Sequence, residues 1–357
     1  MKRYITKLLP VLFTILLTSC HTTKTKKEEE INDTIAKANT AIEVARFKGQ
    51  QVTGITVTET GRIFANFPRW RKGVHNSVIE VFENDIPKPY PNADWNTWEI
   101  GQPITDSTFV AVQSVVATDS LLYVVDTRNP QFKKVLDTPR VFVFNLNTNQ
   151  LQSILKLTEG SYKPTSYIND IRIDTKHNSL YFTDSAAPGL VVYNLDTNTS
   201  KRLLDAHTST SAEVHELTFN GETQKRTVHS DGIALKNDSL FYHALTGYTL
   251  YAVPTDSLRN GTEKGIEESV TKIATTGAPD GMIFDNKGNL YLADIENDKI
   301  NYVTPAGELK TLLEGDHVKW ADTFSIFDGF LYYTNSRIHE VKGDISDMEF
   351  TIYKVKL

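Results

Sequence analysis

The chain of 357 residues has a single cysteine, so it offers no disulfide and no cysteine pair for zinc. Its formal net charge of −6 gives no basic footprint, and we expect no nucleic-acid partner. Common catalytic motifs are also missing: the sequence has no Gly-x-Ser-x-Gly, no His-Glu-x-x-His, no Gly-x-Gly-x-x-Gly and no phosphate-binding loop. These absences exclude several enzyme classes and leave open whether the protein is an enzyme.

One apolar run stands out, and it lies at the N-terminus. A basic start is followed by apolar residues at 8–17 and by small residues before Cys20. This pattern is typical of a secretory signal peptide and is too short for a membrane-spanning helix. Residues 17–20, Leu-Thr-Ser-Cys, resemble a bacterial lipobox, in which the cysteine becomes lipidated after cleavage. The alternative is an ordinary signal that ends in a cysteine by chance.

The sequence therefore predicts a signal peptide over 1–19 and a lipidated Cys20 at the start of a tether over 20–40. The tether is polar and charged, with little to bury. A lipid at Cys20 makes the membrane a partner and places the protein in the cell envelope, on a bacterial outer membrane.

A sequence pattern of about 14 to 16 residues recurs along the rest of the chain. Each copy has a polar residue, a short hydrophobic alternation, a turn and an aromatic strand. Five copies begin at positions 113, 169, 230, 279 and 321, and a degenerate sixth covers 54–66. Copies spaced about 40 to 60 residues apart have room for four strands each. We predict an all-β fold, a monomeric six-bladed β-propeller over 41–357, in which strands at 42–47 and 350–357 belong to the closing blade.

The innermost strand of each propeller blade begins beside the central channel, and here those starts carry polar residues. We expect them to converge on one mouth of the channel and to contact a small-molecule ligand: Gln113, Asn169, Asp170, Asp231, Asp280 and Asp322. Carboxylates gathered in a narrow channel repel one another and need a proton, a cation or a cationic ligand. The alternative is that these residues cap turns or form hydrogen bonds between neighbouring blades, because Asp-Gly is a common turn dipeptide.

One histidine, His229, precedes such a strand start and is a candidate acid or base beside Asp231 and Asp280. Its alternative role is packing.

Several segments resemble the Yellow and major royal jelly protein family, in a bacterial version. The resemblance rests on 61–70 with its Pro-Arg-Trp, 89–98 with its Pro-Tyr-Pro-Asn, 113–114, 230–235 and 240–243. It implies a six-bladed propeller. Insect members of the family are linked to dopachrome conversion and to the binding of small amines or sterols, which implies either an isomerase or a ligand binder.

A more distant similarity is to gluconolactonase-type propellers, which hold a divalent metal with a Glu, two Asn and an Asp. The segment at 279–282 resembles that family's aspartate segment, so the similarity implies Asp280 and Asn169 as metal ligands and calcium, or else magnesium, as the ion. Two departures weaken the match: Gln113 stands at the second asparagine position, and the first blade has no Glu near 51–55.

Three functions are therefore compatible with the sequence. The first is an anchored receptor that binds a small polar or cationic molecule at the channel mouth. The second is an enzyme that uses Asp280, either a metal-dependent lactonase or a tautomerase assisted by Asp231 and His229. The third is a scaffold whose polar residues only hold the blades together.

Overall fold

A computed structural model describes residues 40–82, 86–118 and 120–357. In these residues the chain forms six antiparallel four-stranded sheets and one separate hairpin. Five sheets are built from consecutive strands, and the sixth combines strands from both ends of the described chain. This is a six-bladed β-propeller, as the repeats predict. The predicted signal peptide, Cys20 and nearly all of the predicted tether lie outside the described residues.

The first strand of the described chain, β1, spans Ile42–Lys48 and belongs to the last blade. Blade one comprises β2 Gly54–Val57, β3 Ile63–Asn66, β4 Val78–Val81 and β5 Lys88–Pro89. Blade two comprises β6 Val112–Thr118, β7 Leu121–Asp126, β8 Arg140–Asn145 and β9 Gln150–Lys156. Blade three comprises β10 Ile168–Asp174, β11 Ser179–Asp184, β12 Gly189–Asn194 and β13 Thr199–Leu203.

The separate hairpin, β14 Glu216–Phe219 with β15 Glu222–Lys225, is inserted before blade four. Blade four comprises β16 Ser230–Lys236, β17 Ser239–Ala244, β18 Thr249–Pro254 and β19 Thr271–Thr275. Blade five comprises β20 Met282–Phe284, β21 Leu290–Asp294, β22 Lys299–Val303 and β23 Leu309–Glu314. Blade six comprises β24 Ala321–Phe327, β25 Phe330–Asn335, β26 Glu349–Lys356 and β1.

Short helices occur only in connections among the residues that the structure describes. Two α-helices, α1 Thr255–Asn260 and α2 Glu263–Ser269, lie between β18 and β19. The 3-10 turns are Asp94–Asn96, Pro130–Phe132, Thr175–His177, Asp316–Val318 and Ile338–Glu340. In the described part of the chain, no helix has the length and apolar character to cross a membrane.

The core lies between adjacent blades, because inner and middle strands are buried on both faces. In β11 every residue is buried, and Phe182 packs in one cluster with Val125 and Val141 of blade two. The outermost strands are more exposed; in β19, Thr271–Thr275, every residue except Ala274 is exposed. Burial of apolar surface between blades contributes roughly 25 cal/mol per Å².

Strand β1 closes the ring. It pairs antiparallel with β26, and Phe47 lies opposite Phe350. The Phe47 ring also meets Phe67 at a centroid distance of 5.0 Å, which connects the last blade to the connection after β3 in blade one. The two terminal strands therefore share the closing blade, as the sequence predicts.

Two glycines at the channel axis allow adjacent inner strands to approach closely. A Cβ added at Gly232 would lie 2.3 Å from the carbonyl oxygen of Asp280, and one at Gly281 would lie 2.8 Å from that of Asp322. Gly232 lies within β16, and neither glycine has a left-handed φ. The turn interpretation of these Asp-Gly pairs is therefore wrong; the glycines are needed because a neighbouring backbone occupies the space of a side chain.

We expect Gly232→Ala to destabilise the propeller by about 1–3 kcal/mol, because main-chain atoms of blade five would have to move. Urea denaturation measures the change. Gly247→Ala is the control, since its Cβ would meet the exposed Glu213 side chain at 3.2 Å and that chain is flexible. Equal effects of the two substitutions would contradict the close-approach explanation.

Candidate functional site at the acidic mouth of the channel

Five of the six polar strand starts line one cavity of about 140 Å³ at the end of the channel where the inner strands begin. They are Gln113, Asn169, Asp231, Asp280 and Asp322. We call this cavity the acidic mouth. All five residues are almost fully buried by the surrounding blades. The sixth, Asp170, is also buried but does not line the cavity.

Asp231 and Asp280 form a carboxyl pair in this cavity. Burial raises the pKa of both groups well above the ordinary value, and the charge of Asp280 raises that of Asp231 further. The two carboxyls are close enough to share a hydrogen bond. Asn169 donates its side-chain amide N–H to Asp231. The pair is therefore set up to retain a proton that an exposed aspartate would lose.

Two further carboxyls, those of Asp322 and Asp170, lie near this pair and influence the same region. Burial raises the pKa of Asp322 well above its usual range, and the charges of Asp280, Asp231 and Asp170 act in the same direction. Burial also raises the pKa of Asp170, but nearby Arg172 partly offsets that effect. A cation in the cavity would relieve the repulsion among these groups.

Aromatic side chains form one wall of the cavity. The rings of Phe132 and Tyr167 stack at 4.3 Å, and Trp70 lies 5.5 Å from Phe132. Trp70 Nε1 donates to Tyr167 Oη at 2.6 Å, and that hydroxyl donates to Gln113 Oε1 at 2.7 Å. Phe132 is 52% exposed, so an apolar ring stands at the rim. This wall offers ring faces to a ligand above the carboxylates.

Trp320 forms the opposite wall. Its indole Nε1 donates to Asp280 Oδ2 at 2.5 Å, and its ring contacts both Phe219 of the inserted hairpin and the guanidinium of Arg226. Trp320 is fully buried and has a φ of 80°, a left-handed conformation that costs a bulky residue about 1–3 kcal/mol. The surrounding structure holds this conformation and thereby directs the indole N–H at Asp280.

The candidate histidine, His229, and a fully buried histidine, His243, both lie elsewhere. His229 does not line the cavity; its Nδ1 accepts a hydrogen bond from the backbone N–H of Ala212 at 3.0 Å, and burial lowers its pKa. His243 is fully buried against Thr276, and burial lowers its pKa to about 3. The geometry favours packing roles for both.

Four important residues of the mouth carry no repeat signal in the sequence: Phe132, Tyr167, Arg226 and Trp320. Trp70 belongs to the Pro-Arg-Trp motif, which the sequence associates with a family but not with a site. Phe132 and Arg226 come from connections between strands, where no periodicity points inward. The one available signal is positional: Tyr167 lies two residues before Asn169, and Trp320 lies two residues before Asp322.

The family model described as "Major royal jelly protein" matches residues 110–326, more than half of the chain. The chain belongs to the major royal jelly protein family. Among its relatives from Apis mellifera, major royal jelly protein 6 is 23% identical over 242 residues, covering 63% of this chain and 54% of the relative. Major royal jelly protein 8 is 25% identical over 193 residues, covering 51% of this chain and 46% of the relative. This family member thus spans about half the length of these curated relatives.

Solved structures of other proteins share the fold of this royal jelly family member at low sequence identity. A luciferin-regenerating enzyme superposes with a TM-score of 0.58 at 12% identity, covering 89% of this chain and 95% of that one. A gluconolactonase from Xanthomonas campestris superposes with a TM-score of 0.55 at 12% identity, covering 89% of each chain. These similarities support the propeller architecture alone.

The residues of the acidic mouth do not fit the calcium site implied by the gluconolactonase similarity. Asn169 directs an amide N–H, which cannot ligate a metal, at Asp231, and Asp280 accepts the Trp320 indole. At the first blade, Gln51 Oε1 accepts from Arg71 and Nε2 donates to a backbone carbonyl. Within the described ranges, no three His, Cys, Asp or Glu side chains are placed to hold a metal ion.

We expect Asp322→Asn to stabilise the protein by about 1–3 kcal/mol at pH 7 and by less at pH 4. The folded chain holds the Asp322 proton to a higher pH than the unfolded chain, whose pKa is near 3.8. This group therefore lowers the free energy of unfolding as pH rises from about 4. Melting temperatures at both pH values test the effect. The exposed Asp328→Asn is the control, and an identical shift at both pH values would refute the assignment.

Proposed function

We propose that this royal jelly family member binds a small cationic or polar molecule at the acidic mouth. The observation that carries the proposal is a cavity in which buried carboxyls lie between two aromatic walls. A cation there gains Coulomb attraction from Asp231, Asp280 and Asp322, and further attraction from ring faces such as that of Trp70. The resemblance of the sequence to a family with amine-binding members supports the same class of ligand.

The size of the cavity restricts the ligand. At about 140 Å³ it is smaller than the roughly 300–1,000 Å³ of common small-molecule pockets. A compact ligand, or the cationic end of a longer one, is therefore the best match. The longer part would lie against the exposed ring of Phe132 at the rim.

We expect tryptamine, which has a cationic amine and an aromatic ring, to bind more tightly than uncharged 3-methylindole. Asp322→Asn should weaken tryptamine binding about tenfold, because a hydrogen bond to a charged group contributes about 1.5–3 kcal/mol. Trp70→Ala should weaken tryptamine binding a few-fold, because it removes a cation–π contact that contributes about 0.5–2 kcal/mol. Calorimetric titration of the purified protein measures these affinities.

The affinity of tryptamine should rise between pH 5 and pH 8. Protons on Asp231, Asp280 and Asp322 compete with the cation because the pKa of each is raised. Asp328→Asn, an exposed change on the β24–β25 turn, should leave binding unaltered. Equal affinity for tryptamine and 3-methylindole would refute a cation site at this mouth.

The second candidate function is proton-transfer catalysis by Asp280, in either a hydrolase or an isomerase. The raised pKa of the Asp231–Asp280 pair favours it, since a general acid or base works best when its pKa is near the operating pH. Turnover of a lactone or of dopachrome that is lost in Asp280→Asn, while the variant stays folded, would favour this function over binding alone.

We further propose that a lipid on Cys20 holds the propeller at the bacterial outer membrane. The support is the lipobox-like sequence at 17–20 and the polar tether that follows. Expression of the full chain in a Gram-negative host with an alkyne-labelled fatty acid should label the wild type and leave Cys20→Ala unlabelled. Soluble, unlabelled wild type would show that the segment is an ordinary signal, and labelling of Cys20→Ala would show that the lipid is attached at another residue.

A further inference from the structure

The opposite end of the channel holds a second cavity, of about 320 Å³. All six inner strands line it, and in β6, β10, β16 and β24 the residues that do so come later in the strand than those that line the acidic mouth. In β6, for example, Gln113 lines the acidic mouth and Val116 and Ala117 line the second cavity. In β10, Asn169 lines the first cavity and Arg172 the second. We call the second cavity the arginine mouth.

Arg172 is the residue that gives the arginine mouth its chemistry. Its Nη1 donates to the carbonyl of Ile171 at 2.7 Å, and its Nη2 donates to the carbonyl of Met282 in blade five at 2.7 Å. These bonds hold the guanidinium across the channel and use two of its five N–H groups. Among the described residues, Arg172 forms no salt bridge, although the Asp170 carboxyl lies near enough to influence its pKa.

Arg172 is therefore a fixed cation on the channel axis, partly exposed to the arginine mouth. Burial lowers its pKa, in keeping with a guanidinium that has lost much of its water. A guanidinium in this setting binds an incoming carboxylate through charge-assisted hydrogen bonds.

The walls of the arginine mouth are mostly apolar. Alongside Val116 and Ala117, they include Ile283, Phe284 and Ile326. Such walls suit an aliphatic or aromatic body better than a bare inorganic ion.

Two buried hydroxyls also line the arginine mouth, those of Thr56 and Ser325. Each accepts a backbone N–H from an adjacent blade, from Ala117 at 3.0 Å and from Val57 at 2.9 Å. Each hydroxyl retains its own proton to donate. The one acidic residue of the lining, Glu59, is exposed and stands at the outer rim.

We propose that the arginine mouth binds a small carboxylic acid with an apolar body, its carboxylate on Arg172 and its body against the apolar walls. This is a second site, independent of the cation site at the acidic mouth. The two mouths then select ligands of opposite charge, one at each end of the same channel.

Octanoate and octanol form the test pair, because they share an apolar chain and differ in charge. We expect octanoate to bind the purified propeller at least about tenfold more tightly than octanol in calorimetric titration. Arg172→Gln should remove this preference. Ala117→Trp should block both ligands, since the larger side chain would fill the mouth without changing its charge.

Asp322→Asn tests whether the two sites are independent: it should leave octanoate affinity unchanged while it weakens tryptamine binding about tenfold. Glu59→Gln should strengthen the binding of octanoate and leave the binding of octanol unaltered. If Arg172→Gln does not fold, two measurements still test the proposal: the preference of the wild type for octanoate, and the loss of binding of both ligands in Ala117→Trp. Equal binding of octanoate and octanol to the wild type, or full octanoate binding by Ala117→Trp, would overturn the proposal.

Discussion

The pairing of β1 with β26 is the contact on which the rest of this propeller depends. Each blade buries its faces against its neighbours, so an open ring would leave the faces of blade one and blade six without partners. Antiparallel pairing between residues about 300 positions apart supplies that closure. Phe47 reinforces it through its ring contact with Phe67. The channel axis exists only because the ring is closed.

Closure brings six inner strands side by side and in the same direction. The consequence at the axis is crowding, which explains why glycine follows both Asp231 and Asp280. The same alignment produces two ends of different chemistry. Strand starts supply the carboxyls of the acidic mouth, and later residues supply Arg172 and an apolar lining at the other end.

The acidic mouth is an unfavourable arrangement for stability. Buried carboxyls in mutual contact retain protons or require a cation, and Trp320 adds a left-handed φ. Such costs are common at functional sites, where local rules of stability are broken for binding or catalysis. The structure offsets them with interactions from outside the repeats. The inserted hairpin packs Phe219 on Trp320, and Arg226 lies over the same ring.

The sequence by itself determined the all-β class, the six repeats, the strands that close the ring and the polar residues at the strand starts. Those features are local, because a period of two and a recurring turn are encoded within each copy. Even the placement of Asp280 beside Asp231 follows from the repeat once a ring is assumed.

Only the tertiary structure decided what surrounds these residues. Trp70, Phe132 and Arg226 reach the acidic mouth from connections that obey no period, and they meet only after the ring has closed. Asn169 and Arg172 are on the same strand, and which end of the channel each of them lines also depends on how that strand is placed along the axis. The physical reason is that a strand pattern depends on residues that are close in the sequence. A channel lining is assembled from side chains that long-range packing brings together.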